Sequence, residues 1–241
     1  MPVVGTRQSP IVLNTKDALH IAEPTKLLRI NYIRKSYPGH IPPHQPHHGN
    51  FDLKGPSYPT VTFRGQDYEL RRIHIHLHAE HAIDPVPGQS EQRLFEVHLV
   101  HARPGQSLDT PKLAIGIIYH KSARSPSRGG LESLDTILQE LSAPSAPHSP
   151  KKKRVKPPHS INPLLFFPSL PGGKQPDLTN WFHYEGSLTS EPYSEDVSWF
   201  VMKTESQITP GTLKALEKHA EQEARHSYPL DSRIVVRSFK T

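Results

Sequence analysis

Residues 73–81 read IHIHLHAEH, and residues 93–101 read RLFEVHLVH. Both alternate apolar and polar side chains with a period of two, as an extended strand with one buried face does. On the first, His74, His76 and His78 are expected on one face, with Ile73, Ile75 and Leu77 on the other. On the second, Glu96 and His98 share a face opposite Phe95, Val97 and Leu99. The joining segment, DPVPGQSEQ, would let the two strands pair antiparallel and bring His98 beside His74 and His76. Three neutral imidazoles with a fourth position left to water make a catalytic zinc site. Glu96 adds a carboxylate of the kind to which a metal-bound histidine passes its other N–H. A polar strand face in a histidine-rich chain is the rival reading, and spacing alone leaves both open.

Outward from these strands the chain alternates short apolar pieces with turn formers. Strand-like segments are read at Ile11-Val12-Leu13, Leu27 to Tyr32, Val61 to Phe63, Trp181 to Tyr184, Val197 to Met202 and Ile234 to Val236. KLAIGIIY, Lys112 to Tyr119, reads as a buried strand. Leu131, Leu134, Ile137, Leu138 and Leu141 have the spacing of an amphipathic helix, and a second helix is expected from Thr212 to about Arg225. Residues 142–160, SAPSAPHSPKKKRVKPPHS, have no periodicity and read as an exposed insertion loop rich in proline and lysine. The 26 prolines among 241 residues, about twice the usual share of ~5%, also call for short elements and many loops. The whole is expected to be one mainly β (α+β) domain over residues 1–241.

Composition closes off several chemistries. There is no cysteine, which excludes disulfides, thiolate zinc sites, iron–sulfur clusters and cysteine nucleophiles. With 17 histidines present, any tightly held transition metal must rest on imidazole and carboxylate. No apolar run approaches the ~18 residues of a transmembrane helix. MPVVGTRQSPIVL shows no signal peptide, so the cytoplasm is the default compartment, with a missing export signal left open.

IHIHLHAEHAID, FEVHLVH and YEGSLTSEP followed by Trp199, in that order, resemble the α-class carbonic anhydrase family. QSPI at Gln8–Ile11 and YPLDSRIVVRSF at Tyr228–Phe239 extend the resemblance from residue 8 to the C-terminus. It implies a large, twisted, mostly antiparallel central sheet with short peripheral helices and the metal in a conical cleft. It further implies Zn2+ held by His74, His76 and His98, with Glu96 orienting His98. The implied reaction is reversible hydration of carbon dioxide to bicarbonate and a proton, by attack of a zinc hydroxide. Thr189 would donate its hydroxyl to Glu80 and so accept from that hydroxide, fixing its lone pair toward the substrate. The apolar substrate pocket would comprise Val100, Leu188, Val197 and Trp199, with Ser190 and Glu191 near its mouth.

Several positions depart from the family pattern, among them Ser190 and Glu191 in the GSLTSEP turn. The faster relatives relay a proton through a histidine after a glycine; here Asn50 follows Gly49, and His44, His47 and His48 are the candidate relays. Arg72 stands where a glutamine commonly supports the first ligand, and a cation cannot accept the imidazole N–H. His74 therefore needs another partner.

The formal net charge is +6, and the cluster at residues 150–156 resembles a nuclear localisation signal. No aromatic residues interleave with its lysines, so it is read as a solvated charge run, with nucleic acid disfavoured as a partner. Two alternatives stand beside the enzyme: a catalytically silent carbonic-anhydrase-like binding module, and a basic interaction protein on the same scaffold.

Overall fold

The computed structural model describes residues 5–42, 49–85, 93–108, 112–123, 129–142, 159–173, 175–220 and 224–241. In chain order the first strands are β1 (Val12–Leu13), β2 (Leu19–His20), β3 (Leu28–Ile30), β4 (Tyr37–His40), β5 (Phe51–Leu53), β6 (Thr60–Phe63), β7 (Gln66–Leu77) and β8 (Ala82–Ile83). They are followed by β9 (Arg93–Ala102), β10 (Lys112–Lys121), β11 (His159–Ile161), β12 (Trp181–Gly186), β13 (Val197–Met202), β14 (Ser206–Ile208) and β15 (Val236–Arg237). Helices are few and short: α1 (Pro24–Leu27), α2 (Gly130–Ser142) and α3 (Pro210–Glu217).

Among the described residues, thirteen strands join one sheet whose path runs β11-β4-β5-β7-β9-β10-β13-β12-β15-β2. Most ladders are antiparallel, as expected, but β10 pairs with β13 in parallel at the centre. That pairing needs a long crossover, and residues 122–196 supply it. β10 is buried at every position from Lys112 to Tyr119, so its apolar run reflects cover on both faces.

Alternation along the central strands divides the core. Ile73, Ile75, Val97, Leu99, Ile115 and Ile117 pack on one face, where α2 adds Leu131, Leu134, Ile137 and Leu138. Ala114, Ile118, Val197, Trp199 and Val201 belong to a second cluster on the other. Beyond the register shift at Leu70/Arg72, the even-numbered His74 and His76 of β7 share this second side with Glu96 and His98 of β9 and Ala114 and Ile118 of β10.

Three expectations shift. β7 ends at Leu77, and His78 is exposed with φ of 67°, so it leaves the face that His74 and His76 share. α3 begins at Pro210, capped by the Thr209 side chain accepting from the Thr212 N–H, and ends at Glu217 rather than near Arg225. Its buried positions are Thr212, Leu213 and Leu216, and the chain turns at 218–220, while residues 221–223 lie outside the described residues. Ser142 closes α2 and His159–Ser160 open β11, so both ends of the expected insertion loop belong to regular elements, and residues 143–158, with the basic cluster, lie outside the described residues. No helix among the described residues is long and apolar enough to cross a membrane.

Candidate metal centre

β7 and β9 pair antiparallel with His74 directly opposite His98 and His76 opposite Glu96. The register follows from the apolar faces: a slip by one residue would turn Ile73, Ile75, Val97 and Leu99 out of the core. It brings the rings of His74 and His76 to 4.3 Å between centroids, His76 and His98 to 4.5 Å, and His74 and His98 to 6.2 Å. The Nε2 of His76 and the Nδ1 of His98 stand 3.1 Å apart. Two nitrogens on one tetrahedral zinc, each at 2.0–2.1 Å, would stand about 3.3 Å apart, so this pair fits a shared ion.

The outward nitrogens are held. His74 Nδ1 lies 2.5 Å from the Asn50 amide oxygen, which can only accept, so Nδ1 carries the proton and Nε2 is left for a metal. His98 Nε2 lies 3.1 Å from Glu96 Oε1, which leaves Nδ1 on the metal side. Burial pushes both His76 and His98 below the ordinary imidazole value, and neighbouring histidines add to the shift. Neutral imidazole is the form that coordinates.

Glu96 is the hub. Its Oε2 accepts from the backbone N–H of Glu80 and of His81 at 2.8 and 2.9 Å, and its Oε1 accepts from His81 Nδ1 at 2.7 Å. Burial alone would raise its pKa, but the charges and hydrogen bonds of His81 and His98 outweigh that and hold it well below the usual carboxylate range. The other ring nitrogen of His81 meets the Tyr184 hydroxyl at 2.7 Å, and that hydroxyl donates to Ser9 Oγ at 3.0 Å. Ser9 also pairs with Ser187, its N–H donating to Ser187 Oγ and its Oγ accepting the Ser187 N–H. The Trp199 ring closes the arrangement, 4.7 Å from His98 and 4.8 Å from His81 between centroids.

Glu80 is buried beside the tripod, with Oε2 3.6 Å from His76 Nε2 and 3.8 Å from His98 Nε2. It forms with His76 and His98 a three-residue group compact enough to hold an ion, as do His81, Glu96 and His98. The second group is already spent on internal hydrogen bonds. In the first, Glu80 Oε1 accepts the Arg225 N–H at 3.2 Å. Among the described residues no hydrogen bond joins Thr189 to Glu80; the Arg225 N–H occupies one carboxylate oxygen, which by itself does not exclude that contact.

A cleft of about 950 Å³ opens over His74 and His98. Val100, Leu188, Thr189, Ser190, Val197 and Trp199 all line it, as does Glu191. The sequence reading did not foresee its cationic side, made by Arg72, Lys112 and Arg225. Arg72 gives Nε and Nη2 to Asp52 at 2.6 and 2.9 Å, and Lys112 lies 3.3 Å from Asp196. The Arg225 guanidinium sits between the rings of Tyr193 and Tyr228, 4.1 and 4.3 Å from their centroids. His44, His47 and His48 lie outside the described residues.

A family model for eukaryotic-type carbonic anhydrase matches residues 2–239. A carbonic anhydrase of Nostoc sp. is 25% identical, the match covering 97% of this chain and 76% of that protein. Among solved structures, dioscorin complexed with ascorbate superposes with a TM-score of 0.74 at 22% identity, over 98% of this chain and 87% of that one. The Photobacterium profundum α-carbonic anhydrase gives 0.67 at 23% identity, over 97% and 90%. The structural likenesses bear on the fold.

Proposed function

The chain belongs to the eukaryotic-type carbonic anhydrase family, and from that premise we propose that it is a zinc enzyme hydrating carbon dioxide reversibly to bicarbonate and a proton. The observation that carries this reading is the approach of His76 Nε2 and His98 Nδ1 to 3.1 Å with His74 alongside, His98 Nδ1 being the ring nitrogen away from Glu96. We assign His74, His76 and His98 as the ligands. Zinc on these imidazoles supplies Lewis acidity that brings the pKa of a water to about 7. Glu96 takes the outward N–H of His98 and keeps its ring turned. Val100, Leu188, Val197 and Trp199 offer an apolar wall to a substrate with no net dipole. Thr189 lines the same cleft and is assigned to orient the nucleophile. The relay is assigned to His44, His47 or His48, since the amide of Asn50 does not titrate.

A second reading, a silent module that binds a small molecule, has the Glu80 bonding pattern in its favour. There Glu80 Oε1 accepts the Arg225 N–H, and among the described residues no hydrogen bond joins Glu80 to Thr189. The likeness to dioscorin complexed with ascorbate points the same way. A stopped-flow pH-indicator assay separates the two. The enzyme reading expects hydration with zinc, loss with a chelator and loss in His98→Ala. Stoichiometric zinc without hydration, or an undiminished rate in His98→Ala, refutes it.

A further inference from the structure

β5 runs antiparallel to β7 with Phe51 opposite Ile73 and Asp52 opposite Arg72. One step further along that register sets Asn50 opposite His74. Side chains alternate across a strand, so Asn50 and Asp52 share the face that carries His74 and Arg72. Two pairings result: Asp52 receives Arg72 through two hydrogen bonds of 2.6 and 2.9 Å, and the Asn50 amide oxygen meets His74 Nδ1 at 2.5 Å. Asn50 is only 3% exposed, so its amide is held in the wall of the site.

We propose that Asn50 is the positioning residue for His74, supplying from the neighbouring strand the acceptor that Arg72 cannot provide. This inference rests on the reading of His74 as a metal ligand. A ligand imidazole must present one nitrogen as an unprotonated donor, and an acceptor at the other nitrogen fixes both the tautomer and the ring plane. The residue two positions earlier on the same strand face could serve, but here it is a guanidinium, with donors only. Asp52 binds that guanidinium in a fork, so the Asn50 oxygen is left to His74. The residue standing where relatives carry a proton relay thus acts on the ligand shell.

The test is zinc affinity and zinc release, followed with a chromophoric chelator, in the full chain and three variants. Asn50→Ala is expected to weaken zinc binding about 10- to 100-fold and to speed its release. Asn50→Asp keeps an acceptor at the same reach and is expected to stay within a few-fold of wild type. Arg72→Gln placed on Asn50→Ala puts a neutral amide two residues from His74 on its own face, and is expected to restore most of the loss. Unchanged affinity and release in Asn50→Ala overturn the inference. So does an equal loss in Asn50→Ala and Asn50→Asp, which would mean that Asn50 only fills space. A wild-type chain that takes up no zinc instead sinks the metal reading, and the role of Asn50 with it.

Discussion

At Gly116 a missing methyl group decides whether two side chains can meet. Gly116 stands opposite His98 on the β9–β10 ladder, and a Cβ there would lie 2.7 Å from Glu96 Oε1 and 3.8 Å from His81 Nδ1. Glu96 is fully buried and has nowhere to retreat. Gly116→Ala should therefore cost about 1–3 kcal/mol by overpacking and loosen the hold of Glu96 on His98. Urea unfolding and zinc titration check this; a stability within about 0.5 kcal/mol of wild type together with unchanged zinc affinity contradicts it. The signal was present in KLAIGIIY, since a glycine inside an apolar strand often marks a close approach. Asn50 carried no such signal. Its role follows from the β5–β7 register, which no local pattern of residues 49–53 encodes.

At the level of strands and helices, period-two alternation was enough to place β7 and β9 and to bring His98 beside His74, and a continuous apolar run was enough to place β10. A single buried face dictates which residues point together, and a one-residue slip would turn the apolar sets of both strands out of the core. What alternation does not encode is which strand lies beside which across long connections. The parallel β10–β13 pair and the attachment of β14 to β10 therefore emerge only in the fold. The end of α3 escaped for a different reason. Helix propensity continues past Glu217 into Lys218 and Ala220, yet the backbone turns there, and tertiary packing outweighs propensity in short helices. His78 shows the same limit within a single motif: it follows the histidine period perfectly, yet the chain has already turned.

Across the whole molecule, buried imidazoles tie stability to pH. His101 is fully buried, its Nε2 2.6 Å from the Tyr32 hydroxyl and its Nδ1 3.1 Å from the Leu113 carbonyl, and burial pushes its pKa down from 6.5 to about 4. Burial lowers His76 and His98 as well. Between the two values the unfolded chain takes a proton that the folded chain refuses. Stability is thus complete above pH 6.5 and falls as the pH drops toward 4, by about 3 kcal/mol from His101 alone. Denaturant unfolding of the metal-free protein at a series of pH values should show that decline, shallower in His101→Gln. A flat or rising profile on acidification contradicts it.

Neutral His76 and His98, together with His74, are what the site offers to a metal, and X-ray absorption of the zinc-loaded protein reads their number directly. Three imidazole nitrogens and one oxygen at about 2.0–2.1 Å, unchanged in Glu80→Gln, are predicted for a tripod of His74, His76 and His98. Two imidazoles with a carboxylate, altered by Glu80→Gln, or no stoichiometric zinc at all, would contradict it.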